Sequence, residues 1–190
     1  MSNYENKQLL EKLYLHYSSN EITKFKTLVT TYPTLLNIYI NNMETLLYLA
    51  VKEQKLAWVK RILKCKKVNL KIGDWLGEHP LAEALRNDNF AITKALVEAG
   101  ADVNEVNDSR LEALEIAVPH DNVEIAGFLI KKGAKPKKYK EIIDSIESRE
   151  MADLFSANMH IFSEKGLEYW EEQKLALLLK TYKECGTINE

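Results

Sequence analysis

Apolar residues along this chain recur with the spacing of amphipathic helices, in pairs of short segments separated by polar turns. In the clearest pair, a first segment over 81–85 places Leu and Ala on one face. The second segment carries Phe90, Ile92, Ala95, Leu96 and Val97. This spacing fits a period of 3.6 residues and not the alternation of a strand. Gly100 follows at the position where a helix closes through the left-handed region. The pattern predicts a unit of turn, helix, tight turn, helix and loop.

The same unit returns at a nearly fixed interval. Pairs of matching residues 33 positions apart are Leu81 and Leu114, Ala84 and Ala117, Leu96 and Leu129, Val97 and Ile130, and Gly100 and Gly133. Upstream the interval is 34, from Leu47 to Leu81 and from Ala50 to Ala84. One helix pair cannot cover its own apolar face, so neighbouring units must stack. We expect an all-α solenoid.

The repeat interval divides the whole chain into predicted units. Full repeats are predicted over 41–70, 74–106 and 107–138, with a degenerate N-terminal unit over 5–37. In that unit the predicted apolar positions are Leu13 and Leu15 on a first helix, then Ile22, Phe25, Leu28 and Val29 on a second. Residues 139–190 are predicted to form a C-terminal cap. It comprises a shortened pair carrying Ile142, Ile143, Ile146, Met151, Leu154 and Phe155, and a final helix over 166–183. We expect one domain over 1–190, built from about five helix-turn-helix units and this capping helix.

Composition and charge narrow the function classes. The formal net charge of −2 gives no overall attraction to nucleic acid or to an anionic membrane. Cys65 and Cys185 are too few for a disulfide framework and are interpreted as reduced thiols. The polar N-terminus predicts no signal peptide, and no apolar run approaches the ~20 residues of a membrane span. We expect a cytoplasmic protein, monomeric when free, that binds neither nucleic acid nor membrane.

Candidate chemistry is sparse. The four histidines are not spaced as metal ligands, and no phosphate-binding glycine loop or nucleophile elbow is present. Lys131 to Lys140 holds six lysines in ten residues, which favours a solvated loop or the rim of a partner site over a nucleic-acid contact. The prediction is a protein without catalytic, cofactor or metal sites.

Short motifs in the units resemble those of the ankyrin-repeat family. Residues 97–104, Val-Glu-Ala-Gly-Ala-Asp-Val-Asn, are similar to its loop motif. Residues 45–50, 79–84 and 112–117 resemble its Thr-Pro-Leu-His-x-Ala signature and keep the Leu and the final Ala in all three copies. The signature His is replaced by Tyr48, Ala82 and Glu115, so we expect less regular and less stable repeats than the family consensus. The resemblance implies that 74–78 is the tip of a hairpin-like finger, and that family members contact partners through such tips and the adjoining face of the first helix.

One finger stands out by its sequence, because Trp75 and Leu76 lie on a turn that the family points away from its core. Burying this pair in a partner could contribute ~2–4 kcal/mol, whereas the alternative is that Trp75 folds back onto a neighbouring finger. Trp58, on a second helix, is predicted to pack in the core, and Trp170 in the cap. The register adds further finger and concave-face candidates. These are Glu78, Asn41, Asn42, Glu44, Arg86, Asn87, Asp108, Ser109, Arg110 and His120.

These features predict a non-catalytic module that binds a folded protein through its concave face and fingers. With no second domain expected, blocking or masking a partner is the simplest mechanism, and small proteins of this family include inhibitors and immunity proteins. The alternative is a secreted effector, or a scaffold or adaptor that tethers or self-associates through the same surface. The mixed polar surface around one aromatic anchor is more typical of a protein interface than of a small-molecule pocket.

Overall fold

The chain forms short antiparallel helices joined by tight turns. The computed structural model describes residues 3–40, 43–65, 67–106, 110–135, 139–158, 176 and 179–181. Their α-helices are α1 (Asn3–Ser18), α2 (Ile22–Thr31), α3 (Leu46–Lys52), α4 (Leu56–Leu63), α5 (Pro80–Arg86), α6 (Phe90–Glu98), α7 (Ala113–Ala117), α8 (Val123–Lys131), α9 (Tyr139–Asp144) and α10 (Arg149–Ala157). Two 3₁₀ helices cover Pro33–Asn37 and Val118–His120. Within these ranges no strand occurs, and the all-α prediction is confirmed.

The turn between the two helices has the same backbone conformation in the first four units. One residue in each turn takes a positive φ near 50°, at Asn20, Gln54, Asp88 and Asp121. Their spacing of 34, 34 and 33 positions is that of the sequence repeat. Because Asn20 belongs to this series, the segment predicted as a degenerate first unit follows the same plan as the later ones.

The second helices α6 and α8 also end as the sequence predicts, at a glycine. Gly100 and Gly133 have φ values of 102° and 89°, in the left-handed region that a side chain would disfavour. In each case the next amide donates back into the helix, from Ala101 N to Leu96 O and from Ala134 N to Leu129 O, both at 3.0 Å. This is the glycine-terminated helix end expected at a C-cap.

The described residues divide into two compact units, one reaching to Ala101 and the other beginning at Asp102. In the first unit, α1 packs against α2, α3 against α5, and α4 against α6, so that successive helix pairs stack. An aromatic core cluster of Tyr17, Phe25 and Trp58 lies inside this unit, and all three side chains are buried. Core packing of Trp58 is thereby confirmed.

The first helix carries Leu13 and Leu15, as predicted, but only one of them faces the core. Leu13 is buried, whereas Leu15 is 54% exposed. Two residues along a helix correspond to a rotation of about 200°, so Leu13 and Leu15 lie on opposite faces of α1.

In the second unit, α7 packs against α8 and α9, and α8 against α10. The predicted shortened pair is present as α9 and α10. Of its predicted apolar residues, Leu154 is half-buried and the others are buried: Ile142, Ile143, Ile146, Met151 and Phe155. Of the predicted final helix over 166–183, the structure describes residues 176 and 179–181, which are helical. Trp170 lies outside the described residues. The assignment of 1–190 to a single domain stays a prediction.

Candidate protein-binding surface

The finger at 74–79 is a turn held by its own polar groups. Asp74 Oδ1 accepts hydrogen bonds from the amides of Leu76 at 3.0 Å and Glu78 at 2.9 Å. The main chain closes the same turn from Asp74 N to Glu78 O at 3.2 Å. Gly77 has a positive φ of 76°, and a side chain at Gly73 would overlap the carbonyl oxygen of Glu78. The two glycines and one carboxylate therefore fix the shape of the finger.

The tip of this finger presents apolar side chains to solvent. Trp75 is 62% exposed and Leu76 56% exposed, so Trp75 has not folded back onto a neighbouring finger. Next to them lie Met43, which is 60% exposed, and Tyr39, which is 45% exposed. An isolated antiparallel bridge pairs Glu44 with Asp74, which sets Met43 beside Trp75, and the Tyr39 hydroxyl donates to Asp74 O at 3.3 Å. We call these four residues the finger surface.

Ion pairs order the side chains behind the finger surface. Glu78 and Arg86 form a bidentate pair, in which Nη2 lies 3.1 Å from Oε1. This hydrogen bond from the guanidinium to Glu78 raises the pKa of Arg86. Lys52 Nζ lies 2.6 Å from Oε1 of Glu44, and this hydrogen bond raises the pKa of Lys52. Glu44 and Glu78 are thus each tied to the first helix that follows them in the sequence.

The departure from the family signature at Tyr48 has a structural consequence. The Tyr48 hydroxyl donates to Oε2 of Glu83 at 3.1 Å, and Glu83 Oε1 accepts from Asn87 Nδ2 at 3.0 Å. Burial, and then the negative charge of Glu83, raise the pKa of Tyr48. Since Tyr48 lies on α3 and Glu83 on α5, this residue at the signature His position forms a hydrogen bond from one repeat to the next.

The predicted contact residues fall into four groups, three of which the structure describes. Trp75, Leu76, Glu78, Arg86 and Asn87 lie together on the 74–79 finger and the first helix that follows it. Glu44 is near them but only 7% exposed. Arg110 and His120 are exposed residues of the second unit. Asn41, Asn42, Asp108 and Ser109 lie outside the described residues.

Sequence reasoning missed two members of the finger surface and the residue that organises it. Tyr39 and Met43 were not among the predicted contacts, although both are large apolar residues next to the predicted contacts at 41, 42 and 44 in the sequence. Asp74 was recognised only as part of the finger. An Asp followed three residues later by Gly77 is typical of a turn in which the carboxylate caps backbone amides, and this signal could have identified its role.

The described part of the chain also bears on membrane spanning and on metal binding. No described helix is both long and apolar enough to cross a membrane. Among the same residues, no group of three or more His, Cys, Asp or Glu side chains is arranged to hold a metal ion.

Repeated helix pairs, joined by turns with one residue in the left-handed region, define a helical-repeat protein. The model of the family described as ankyrin repeats (3 copies) matches residues 4–107 and 47–140, which together exceed half of the chain. The chain therefore belongs to the ankyrin-repeat family. Ankyrin repeats indicate a protein–protein interaction module, and proteins of this family are generally non-catalytic.

Proposed function

We propose that this protein binds a folded protein partner through the finger surface of its first unit and acts by masking the partner's surface. The observation that carries the proposal is the combination of exposure and rigidity at 74–78. Trp75 and Leu76 are more than half exposed, yet their turn is fixed by the Asp74 carboxylate and by main-chain hydrogen bonds. A rigid aromatic anchor loses little conformational entropy on binding, which is the property of an interface hot spot.

The surroundings of the anchor also suit a protein interface. Met43 and Tyr39 extend the apolar area, and the Glu78–Arg86 and Glu44–Lys52 pairs lie behind it. An apolar centre bordered by polar groups is the usual organisation of a protein–protein contact. Arg86 and Asn87 remain candidate contacts on the adjoining helix, and Arg110 and His120 remain candidates in the second unit. An inhibitor or immunity-type role follows if the covered surface of the partner is its active region.

The test compares three proteins as baits for partner capture and then in titration calorimetry. Trp75→Ala is expected to weaken binding of the captured partner more than tenfold. Its free energy of unfolding should stay within about 0.5 kcal/mol of wild type, because the side chain is largely exposed. Leu15→Ala is the matched control, since Leu15 is an equally exposed apolar residue on α1. Equal binding by wild type and Trp75→Ala would reject the finger surface as the contact.

Two further measurements separate masking from the alternatives. An inhibitor should abolish the partner's activity at a one-to-one ratio, whereas an adaptor or scaffold would bind and leave that activity intact. Light scattering across concentrations tests self-association through the same surface. A wild-type dimer that Trp75→Ala converts to a monomer would favour the scaffold.

A further inference from the structure

The second helix of the 41–70 repeat and the loop after it carry an unusual concentration of positive charge. Residues 54–73 contain seven Lys and Arg and no Asp or Glu: Lys55, Lys60, Arg61, Lys64, Lys66, Lys67 and Lys71. Because the whole chain has a formal net charge of −2, the remaining residues together carry −9. The charge of this segment therefore has the opposite sign to that of the rest of the protein.

Several of these basic side chains are exposed and form no ion pair with a carboxylate of the described residues. Lys60 and Lys64 are exposed and one helical turn apart, about 6 Å between their Cβ atoms. Lys67 follows in the loop, where its carbonyl accepts from Asn37 Nδ2 at 2.7 Å, which fixes the main chain beneath it. Within the described part of the chain, none of these three ammonium groups lies within ion-pair distance of an acidic side chain. The three residues form what we call the basic ridge.

Two residues beside the ridge lysines are partly covered by the fold. Burial raises the pKa of the Cys65 thiol, and the positive charge of the exposed Lys26 on α2 opposes this rise. Arg61 packs over the ring of the buried Trp58, 4.8 Å from its centroid, and is half-buried. Arg61 is therefore less available to a ligand than the exposed lysines of the ridge.

The composition of the ridge restricts what can bind there. Across the described residues of 54–73, no large apolar side chain is exposed, so the ridge offers neither an aromatic platform for bases nor an apolar group for insertion into lipid. Duplex nucleic acid carries a negative charge every ~1.7 Å over its whole length, whereas the chain outside 54–73 carries a net charge of −9 and does not favour so extended an anion. A short acidic segment of a protein, in contrast, would place its negative charge on the ridge alone. In an extended peptide, acidic residues at alternate positions lie ~7 Å apart on one face, close to the lysine spacing.

We infer that the basic ridge of Lys60, Lys64 and Lys67 binds an acidic segment of a protein. This surface lies on a second helix and the loop after it, whereas the finger surface lies on the fingers, so the two can be tested independently. Binding through the ridge is electrostatic and is expected to weaken as salt is added.

The probe is a fluorescent peptide of about ten residues with glutamate at alternate positions, followed by anisotropy at low and at physiological salt. The triple variant Lys60→Gln, Lys64→Gln, Lys67→Gln is expected to lower affinity about tenfold or more, with an unchanged melting curve. Replacing the same three residues with Arg should preserve binding, because the charge is kept. The matched control is Lys131→Gln, Lys132→Gln, Lys135→Gln, which removes the same charge from three exposed lysines of the second unit and should change affinity less than twofold.

Several outcomes would overturn the inference. One is absence of peptide binding by the wild type at low salt, and another is an equal loss in the two Gln variants, which would mean that only net charge matters. Tighter binding of a short DNA duplex, or of vesicles containing phosphatidylserine, than of the peptide would assign the ridge to a different class of ligand. Peptide binding that survives in the ridge variant would place the contact elsewhere.

Discussion

Two regions of the first unit both contain large aromatic residues, which are buried in one region and exposed in the other. In the aromatic core cluster, Trp58 is 6% exposed and meets the rings of Tyr17 and Phe25 edge to face, at centroid distances of 5.0 and 4.9 Å. In the finger surface, Trp75 is 62% exposed and lies on a turn fixed by hydrogen bonds from backbone amides to a carboxylate. The cluster is stabilised by apolar packing, whereas the finger is stabilised by polar groups that leave its apolar tip in solvent.

This difference predicts that stability and partner binding can be changed separately within one small unit. Removing a ring from the cluster opens a cavity in the packed interior. Removing a ring from the finger takes away contact area that only a partner would bury. We therefore expect mutations in the two regions to produce different phenotypes, with unfolding for the first and loss of binding in a stable protein for the second.

The strongest test of the contrast is Trp58→Ala, which should lower the free energy of unfolding by about 3–5 kcal/mol because it empties the centre of the aromatic core cluster. Urea denaturation followed by circular dichroism measures the change. Trp75→Ala, measured in parallel, should shift the midpoint little. Similar losses in the two variants would mean that the finger tryptophan also supports the fold, and the contrast would fail.

Alkaline pH provides a second test, since the pKa values of Tyr17, in the aromatic core cluster, and of Tyr48, on α3, are raised above their ordinary value near 10. Burial is the main cause for both, followed by a hydrogen bond to Glu53 for Tyr17 and by the charge of Glu83 for Tyr48. A folded-state pKa above the unfolded value gives stability that is complete below about pH 10 and is lost as the pH rises further. Each tyrosine should remove about 1.4 kcal/mol per pH unit in that range.

The measurement is the unfolding free energy from about pH 8 to 11 in wild type, Tyr17→Phe and Tyr48→Phe. Each Phe variant should have a shallower decline than wild type, because one buried hydroxyl no longer ionises. Tyr17→Phe keeps the ring of the core cluster and Tyr48→Phe keeps the packing of α3, so neither should disturb the fold at neutral pH. A decline as steep as that of wild type would show that the substituted hydroxyl does not contribute.

A substitution at Asp74 tests how the shape of the finger is fixed, with a smaller cost in stability than Trp58→Ala. Asp74→Ala removes the acceptor for two backbone amides and should cost about 1–2 kcal/mol. Amide hydrogen exchange at Leu76 and Glu78 should accelerate, and partner binding should weaken although Trp75 is still present. Asp74→Asn is the control, because its side-chain oxygen can still accept both bonds. Unchanged exchange in Asp74→Ala would mean that Gly77 and the main chain alone fix the turn.

Much of the fold follows from local sequence. The 33- and 34-residue intervals predicted the helix pairs, and glycines predicted the helix ends at Gly100 and Gly133, where the structure confirms positive φ values. Asn89 and Asn122, also 33 residues apart, cap α6 and α8 by accepting from the amides of Ile92 and Ile125. Such features are short-range, so a few adjacent residues are enough to specify them.

The candidate site was only partly predictable. The family register located the exposed finger, but it did not indicate that Glu44 is nearly buried or that Tyr39 and Met43 lie beside Trp75. Those relations join residues about 30 positions apart and depend on how one finger pairs with the next.

By itself, the sequence determined the helix pairs, their turns and their caps, because each depends on residues within one turn or one helix. Only the tertiary structure decided which residues of neighbouring fingers meet. The pairing of Glu44 with Asp74 sets Met43 beside Trp75. Such contacts form between repeats, so no single repeat encodes them.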